Sequence, residues 1–422
     1  MPNEAQEKRR VTPPEQLAWR LYYQIPTPVR LTGLHIDQFL RNLRRRFPLV
    51  MLRAQVGSDG PRAHVLVAGA QPWAEYLPRA LLEDPFERTQ LGSVPLWQLP
   101  GALRARGASA SLIIARVDRI AARLLFGPSY LRVPDLVDLL LQMPEHPSSL
   151  YRGGRNSTLR NDLNRAHRNE LICEISHDEA DLYEFYRRFH VPFVHERFDE
   201  FAWPHNLPFL RGHFREGGLI WVTRHGQRIA GSVFGLQNGI PTALALGTLG
   251  GDYAVVELGA FTAAFDALIA HAHQLGCSEI NFGGSPPLLT NGSLRFKRKW
   301  GMKLARRPQS LMLLLHWDHL DPCLLDILLD SGLIFEQQGH LSALSLLAAE
   351  RRATALDVIS AHRFLRIPGL ETFYLCSRFG FEPGIDAPLG TRLVDLAALG
   401  DASLLDVLHC PPAGEQPEEE RC

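Results

Sequence analysis

The stretch from Gly250 to Gly301, GGDYAVVELGAFTAAFDALIAHAHQLGCSEINFGGSPPLLTNGSLRFKRKWG, sets the tightest limit on what this chain folds into. Between Val256 and Leu275 the apolar residues Leu258, Phe261, Phe265, Leu268 and Ile269 recur at three- and four-residue steps. That spacing places them on one side of a helix. Gly276 stands where helices commonly stop in left-handed geometry. A short run from Ser278 to Phe282 reads as a strand, ended by Gly283 and Gly284. Pro286 and Pro287 then force a loop, and a basic turn from Arg295 to Gly301 closes the unit.

The positive charge of this basic segment is of an unusual kind for the chain. Lysine occurs only at Lys8, Lys297, Lys299 and Lys303, so all but Lys8 lie in this segment or two residues beyond it. Everywhere else the cation is arginine. An ammonium is a compact point charge on a flexible stem, whereas a guanidinium is a planar fork. One reading is a solvated turn in which lysines happen to cluster. The other is that at least one ammonium reaches a phosphate, a carboxylate or a developing oxyanion.

At 422 residues the chain exceeds one ordinary core, so two or more domains are expected. Acidic and basic residues balance at 45 each. No global field therefore draws the chain to nucleic acid or to a membrane, although a local basic patch can still do so. No apolar run is long enough to span a bilayer, and the polar N-terminus carries no signal-peptide core, so a cytoplasmic location is expected. The six cysteines show no short paired spacing of a zinc ribbon or redox motif. His316 and His319 lack an evident third ligand, and no metal is expected.

Taken in order, residues 1–30 read as an arm. Residues 31–150 read as a mixed α/β unit, with a helix from Leu34 to Arg46, strands Met51–Val56 and Ala63–Ala68 around a turn at Gly57–Gly60, a strand Ser111–Val117, a further strand at Leu124–Phe126 and a short helix Asp135–Met143. Residues 151–320 read as a second unit. It opens with a polar helix over 155–170, capped at Ser157, whose Arg160, Arg165 and Arg168 form either a solvated connector or a basic rim for an anionic substrate. Strand Leu171–Ile175, helices Asp178–Val194 and Pro208–Glu216, a hairpin Leu219–Arg224 and Arg228–Leu236, and strand Thr242–Leu246 follow. Leu311–His316 returns as a final strand. Residues 321–410 read as a Leu-rich helical extension, and 411–422 as an acidic, disordered tail.

The β-α-α-β-β-β-α-β order resembles the GNAT acyltransferase fold. The Arg-rich helix, the hairpin with Arg228-Ile-Ala-Gly231, the glycine-rich loop and helix ending at Leu275-Gly276, the strand ending at Asn281-Phe282-Gly283, and Phe296-Lys297 before Trp300-Gly301 resemble the FemAB group and the acetyltransferase-like domain of exopolysaccharide and cellulose biosynthesis proteins. The resemblance covers residues 155–305. It implies an α/β (α+β) GNAT-like fold, with residues 31–150 as a diverged first copy of a tandem pair. It also implies an acyl or aminoacyl transfer to an amino group of a sugar, peptide or lipid precursor, with acyl-CoA or aminoacyl-tRNA as donor. The phosphate loop departs from the usual GNAT pattern. Gly247-Thr-Leu-Gly250-Gly251-Asp252-Tyr253 keeps the glycines, but Asp252 puts negative charge where a phosphate would lie. A catalytically silent scaffold in envelope or polysaccharide assembly and a tRNA-dependent aminoacyl transferase therefore stand as alternatives.

Acyl transfer to an amine needs a held carbonyl, a stabilised oxyanion and a deprotonated amine. Lys297 matches the lysine of the FemAB Phe-Lys motif, which the resemblance places at the transfer centre as a stabilising charge. Arg295 and Lys299 would bind flanking anionic groups, with Gly250, Gly251, Tyr253 and Arg160 on the donor or substrate side. Asn281, at a strand end beside glycines, is in a position that lines clefts in α/β folds. For the base, Glu257, His195, Glu196 and Tyr253 remain open.

Overall fold

The computed structural model describes residues 27–55, 62–69, 76–82, 87–151, 156–198, 204–237, 239–329, 331–399 and 404–409. The expected arm as far as residue 26, the turn at Gly57–Gly60, Lys8 and the tail 411–422 lie outside the described residues. The chain divides into two compact units. The first holds Leu139–Gly283 and Lys299–Met302 together with Met1–Gly33; the second holds Leu34–Asp138, Gly284–Arg298 and Lys303–Cys422. The sequence-based boundaries at 150 and 320 differ from this division, because the chain leaves and re-enters each unit.

The sheet of the first unit runs, in spatial order, Val137–Gln142, Glu279–Ser285, Ile240–Thr248, Gln227–Gln237, Gly218–Arg224 and Ile172–Ser176. The three expected central strands are consecutive and antiparallel, with Leu246 opposite Ser232 and Ser232 opposite Ile220. Their hairpin closes on His225 and Gly226, both at positive φ (48° and 77°), the primed turn that matches strand twist. Leu219, Trp221, Val233 and Ala245 pack one face against Leu182, Phe185, Phe189, Leu210 and Phe214 of the helices Glu179–Phe185 and Leu207–Phe214 and the turn between them. The helix Ala260–Gln274 buries Phe261, Ala264, Phe265, Leu268 and Ile269, the periodic face read from sequence. The run from Val256 is not one helix, because Gly259 at φ 99° separates Ala254–Glu257 from it. The polar helix runs Ser157–Arg168, and its cap is Asn156, whose Oδ1 accepts from the Leu159 amide; Ser157 is the first helical residue.

In the second unit the strand order among the described residues is Thr391–Asp395, Phe373–Ser377, His340–Leu346, Leu333–Gln337, Leu131–Pro134, Leu311–His316, Leu112–Asp118, Arg62–Ala68, Arg46–Gln55 and Glu87–Pro95. Alternation explains its two cores. Phe47, Leu49 and Met51 join Leu66, Ile113 and Met312 on one face, while Val50 and Leu52 join Val65, Ile114 and Leu313 on the other. Strand Leu311–His316 pairs with Leu112–Asp118 and Leu131–Pro134, so it belongs to this sheet and does not complete the first.

Several local expectations are corrected. Val137–Gln142 is a strand, since Leu139–Leu141 is an apolar run without helical period. Arg119–Leu125 is a helix capped by Asp118 through the Ala121 amide, which leaves no strand at Leu124. The extension is helical over Pro322–Leu329, Ala355–Leu365 and Leu404–His409, but between the first two of these Leu333–Gln337 and His340–Leu346 form a hairpin whose turn, Gln338-Gly339, takes positive φ at both residues. Arg295–Gly301 is not a turn, because Gly292–Arg298 is a helix begun by Asn291, whose Oδ1 accepts from the Ser293 amide.

A buried ion pair ties this second sheet. Arg119 Nη1 and Nη2 reach both oxygens of Glu336 at 2.8 and 2.5 Å. Burial alone would raise the Glu336 carboxyl, but Arg119, with Arg306 and Arg132, holds it below the usual carboxylate range. Its stabilising contribution is present above the unfolded pKa and is lost as pH falls through the lower folded one. Glu336→Ala is expected to cost ~3 kcal/mol in denaturant unfolding, because it takes the carboxylate from a largely buried guanidinium, although Arg119 Nε keeps the Gln309 carbonyl at 2.9 Å. A loss below about 1 kcal/mol would contradict a structural role.

Two glycines on adjacent strands of the first unit set a helix-to-sheet distance. A Cβ on Gly247 would lie 2.6 Å from the Phe189 carbonyl carbon and 2.7 Å from the His190 nitrogen, and one on Gly231 would lie 3.0 Å from the Phe185 ring. Gly247→Ala is expected to cost ~1–3 kcal/mol, the range for forcing an extra methyl into a packed site. A Gly276→Ala control has open space around it and carries only the strain of φ 69°. Equal losses at the two positions would show that the contact at Gly247 is not tight.

Candidate active site

The first unit places its candidate features at the two ends of strand Ile240–Thr248. That strand carries a bulge between Ala243 and Ala245 in its pairing with Gln227–Gln237. It lies parallel to Glu279–Ser285 and registers with it at Thr242 opposite Asn281. Asn281 is buried, and its Oδ1 accepts from the Gly283 amide at 2.8 Å. Gly283 sits at φ 74°, and a Cβ there would lie 2.5 Å from the Ala243 carbonyl oxygen. The Asn281 side chain thus fixes a backbone turn that only glycine can make.

After the strand, Gly250 and Gly251 take φ of 64° and 84° in a single turn of 3₁₀ helix, Leu249–Gly251. Gly251 approaches the helix Val191–Phe198 closely: a Cβ would meet the Pro192 oxygen at 3.0 Å and Glu196 Cβ at 3.2 Å. The structure therefore brings the glycine turn and the segment with His195 and Glu196 together, with both side chains exposed. Tyr253 and Glu257 are exposed as well. Asp252 Oδ1 accepts from the Ala254 amide at 2.9 Å, which caps the short helix Ala254–Glu257. Arg160 is exposed on the helix Ser157–Arg168.

Lys299 has a different setting. Its Nζ meets Asp162 Oδ2 at 2.5 Å, and Arg165 Nη2 meets Asp162 Oδ1 at 2.9 Å. Asp162 is buried, and the Lys299 carbonyl accepts from Asn156 Nδ2. These bonds fasten the start of the polar helix to the segment that follows Arg298.

One residue that sequence reasoning missed is His190. It ends a turn of π-helix, Tyr186–His190, that interrupts the long helix. Wide turns of this kind are frequent at functional sites. His190 is buried, its Nδ1 lies 2.8 Å from the Leu246 carbonyl oxygen, and its Nε2 has no hydrogen-bond partner. Burial pushes its pKa down to about 4, against the opposing pull of the Leu246 carbonyl. The ring is therefore neutral at pH 7, donates from Nδ1 and keeps an acceptor lone pair at Nε2. Only Gly247, three residues before Gly250, hinted that a helix approaches here.

In the second unit, Lys297 lies on the helix Gly292–Arg298 and is buried. Its Nζ donates to the Gly284 carbonyl oxygen at 2.9 Å. Asp138, also buried, accepts from Arg307 Nη1 at 3.0 Å. A Cβ on Gly284 would lie 2.6 Å from that same Arg307 nitrogen and 3.0 Å from Leu136, so a side chain at the residue that receives Lys297 would have to move the Arg307 guanidinium. Burial pushes the Lys297 pKa down to about 7; Asp138 pulls it up and Arg307 pushes it down further. Desolvation penalises the charged form, and one carboxylate shared with an arginine offsets this only in part. Arg295, on the same helix, is exposed.

Among the described residues, no group of three or more His, Cys, Asp or Glu side chains is placed to hold a metal ion, and no helix is long and apolar enough to cross a membrane. His316 is engaged by the Ser129 carbonyl at 2.7 Å and by Asp318 at 3.1 Å.

Comparison with known proteins matches one segment of the chain to a family model. No curated protein sequence matches the chain. Among solved structures, L-PGS from Bacillus licheniformis superposes with 13% identity and a TM-score of 0.34, covering 70% of this chain and 93% of that one. FemX superposes with 12% identity and a TM-score of 0.34, covering 67% and 90%. A GCN5-related N-acetyltransferase from Kribbella flavida shares 13% identity with a TM-score of 0.25, covering 70% and 97%. The family model described as an acetyltransferase (GNAT) domain matches residues 153–298, nearly the span over which the sequence resembles that fold and inclusive of Lys297.

Proposed function

We propose that this chain is an N-acyltransferase that moves an acyl group from a thioester donor of the acyl-CoA type to an amino group of a sugar, peptide or lipid precursor. The observation that carries the reading is the GNAT domain match over 153–298. In the reaction the acceptor nitrogen attacks the acyl carbonyl, the C–N bond forms and the C–S bond breaks. The nitrogen loses one proton to a base, and the departing thiolate gains one. A thioester donor is favoured over an aminoacyl-tRNA ester because the chain's charges balance at 45 of each sign, which gives little attraction for a polyanion.

In this reading Lys297 supplies charge to the developing oxyanion. A buried ammonium acts in a low-dielectric setting, where one charge counts for far more than in water. Its lowered pKa means that the charge is costly in the resting protein and is favoured once an anion forms beside it. Gly250, Gly251 and Tyr253 are assigned to the donor side, with Arg160, Arg295 and Lys299 as flanking cations. Asn281 holds the Gly283 turn. Glu257 and His195 stay as base candidates, joined by His190, whose Nε2 is an unoccupied acceptor.

A thermal-shift screen with acetyl-CoA, a long-chain acyl-CoA and a charged tRNA identifies the donor, because a ligand that binds only the native state raises the melting temperature. An acyl-CoA is expected to do so. With that donor and an accepted amine, Lys297→Ala should lose ~10²–10³ in turnover, the range for one stabilising group. Lys297→Arg should lose nearly as much, since a planar fork does not fit the position of a buried point charge. Full turnover in folded Lys297→Ala would remove Lys297 from the mechanism. Binding of no donor by the folded protein would leave the scaffold reading in its place.

A further inference from the structure

The N-terminal helix of the described chain, Thr27–Leu43, has three distinct sides. One faces protein: Phe39 packs on the core around Met51 and Met312, Asn42 Nδ2 donates to the buried Asp118 at 2.8 Å, and Gln38 Nε2 donates to Asn42 at 3.1 Å. A second is charged, with Arg41 paired to Asp37 at 2.8 Å. The third is apolar and open. Val29, Ile36 and Leu43 recur every seven residues and Leu40 lies between the last two, so the four share one stripe. Val29 is 62% exposed, and Ile36 and Leu40 are 48% exposed each. Buried leucines are ordinary and single exposed ones need no explanation, but a continuous exposed stripe marks a contact surface.

We propose that the helix Thr27–Leu43 seats this chain on an anionic lipid surface. Charge and area decide this against the alternatives. Between Arg30 and Arg46 the sequence carries Arg30, Arg41, Arg44, Arg45 and Arg46 against the single carboxylate Asp37, in a chain whose charges otherwise balance. Arg44 and Arg45 are exposed at the end of the stripe. Arginines of this kind sit at headgroup depth while the apolar stripe enters the acyl boundary. A second copy of the chain is a poorer occupant. The helix of 17 residues is about 25 Å long, and its stripe is one side chain wide. That area falls well short of the ~800 Å² per partner of a standard protein interface. Parallel pairing would also bring the arginine clusters of two copies into the same contact.

Vesicle co-sedimentation of the full chain tests this. The chain is expected to bind vesicles of phosphatidylcholine containing phosphatidylglycerol, to bind pure phosphatidylcholine weakly, and to lose the difference in high salt. Arg44→Glu and Arg45→Glu should each weaken binding at least about fivefold. The double variant Ile36→Glu, Leu40→Glu should abolish binding with an unchanged melting temperature, because both side chains already stand half in water. Leu275→Glu, at an isolated exposed leucine on another helix, should bind as the native chain does. No binding to anionic vesicles by the native chain would overturn the proposal. So would a dimer in light scattering that Ile36→Glu, Leu40→Glu dissociates, since the stripe would then be a seam between copies.

Discussion

The Gly283–Gly284 pair is the constraint on which the rest of this structure depends. Gly283 holds a left-handed turn against the Ala243 carbonyl, and Gly284 leaves room for Arg307 and Leu136 while its own carbonyl receives Lys297. A side chain added at Gly283 would meet backbone, and one added at Gly284 would displace the Arg307 guanidinium. The two residues convert a strand end into a presented carbonyl. That carbonyl accepts a hydrogen bond from an ammonium removed from water. A lysine placed so is costly, and folding tolerates it only where the surrounding groups are fixed. Arginine supplies nearly all other positive charge in the chain, so the cost falls on a residue type used sparingly.

Glycine plays the same part on two interior strands of the first unit's sheet. Gly231 and Gly247 remove two side chains from neighbouring strands, and the wide turn Tyr186–His190 descends into the space. The descent brings His190 Nδ1 to the Leu246 carbonyl and leaves Nε2 unpaired. Trp221, Phe185 and Phe189 close around it with ring centroids 4.9 to 6.3 Å apart. An acceptor nitrogen in an aromatic wall is a specific chemical object, set by packing and not by any local motif.

How far these features were legible in sequence follows from where their causes lie. The hairpin over 218–237 was legible because strand alternation and a His-Gly turn are local signals. The helix Ala260–Gln274 was legible from its apolar period, and Lys297 stood out through the scarcity of lysine. The helix Gly292–Arg298 was hidden by its dense positive charge, which reads as a turn, although Asn291 and Ser293 carried its start signal. The strands of 333–346 were hidden by leucine-rich text with strong helical preference; pairing with Leu131–Pro134 overrode it. The crossing of the chain between units, and the π turn at His190, have causes in residues distant along the chain. No local pattern announces either.

The central claim is that the Lys297 amine is buried at a site where its charge is held near its tipping point. Carbon-13 NMR with Cε-labelled lysine measures it directly, since only four lysines contribute signals. One Cε resonance should titrate near pH 7 and vanish in Lys297→Arg. The absence of any lysine resonance titrating near pH 7 would contradict the account.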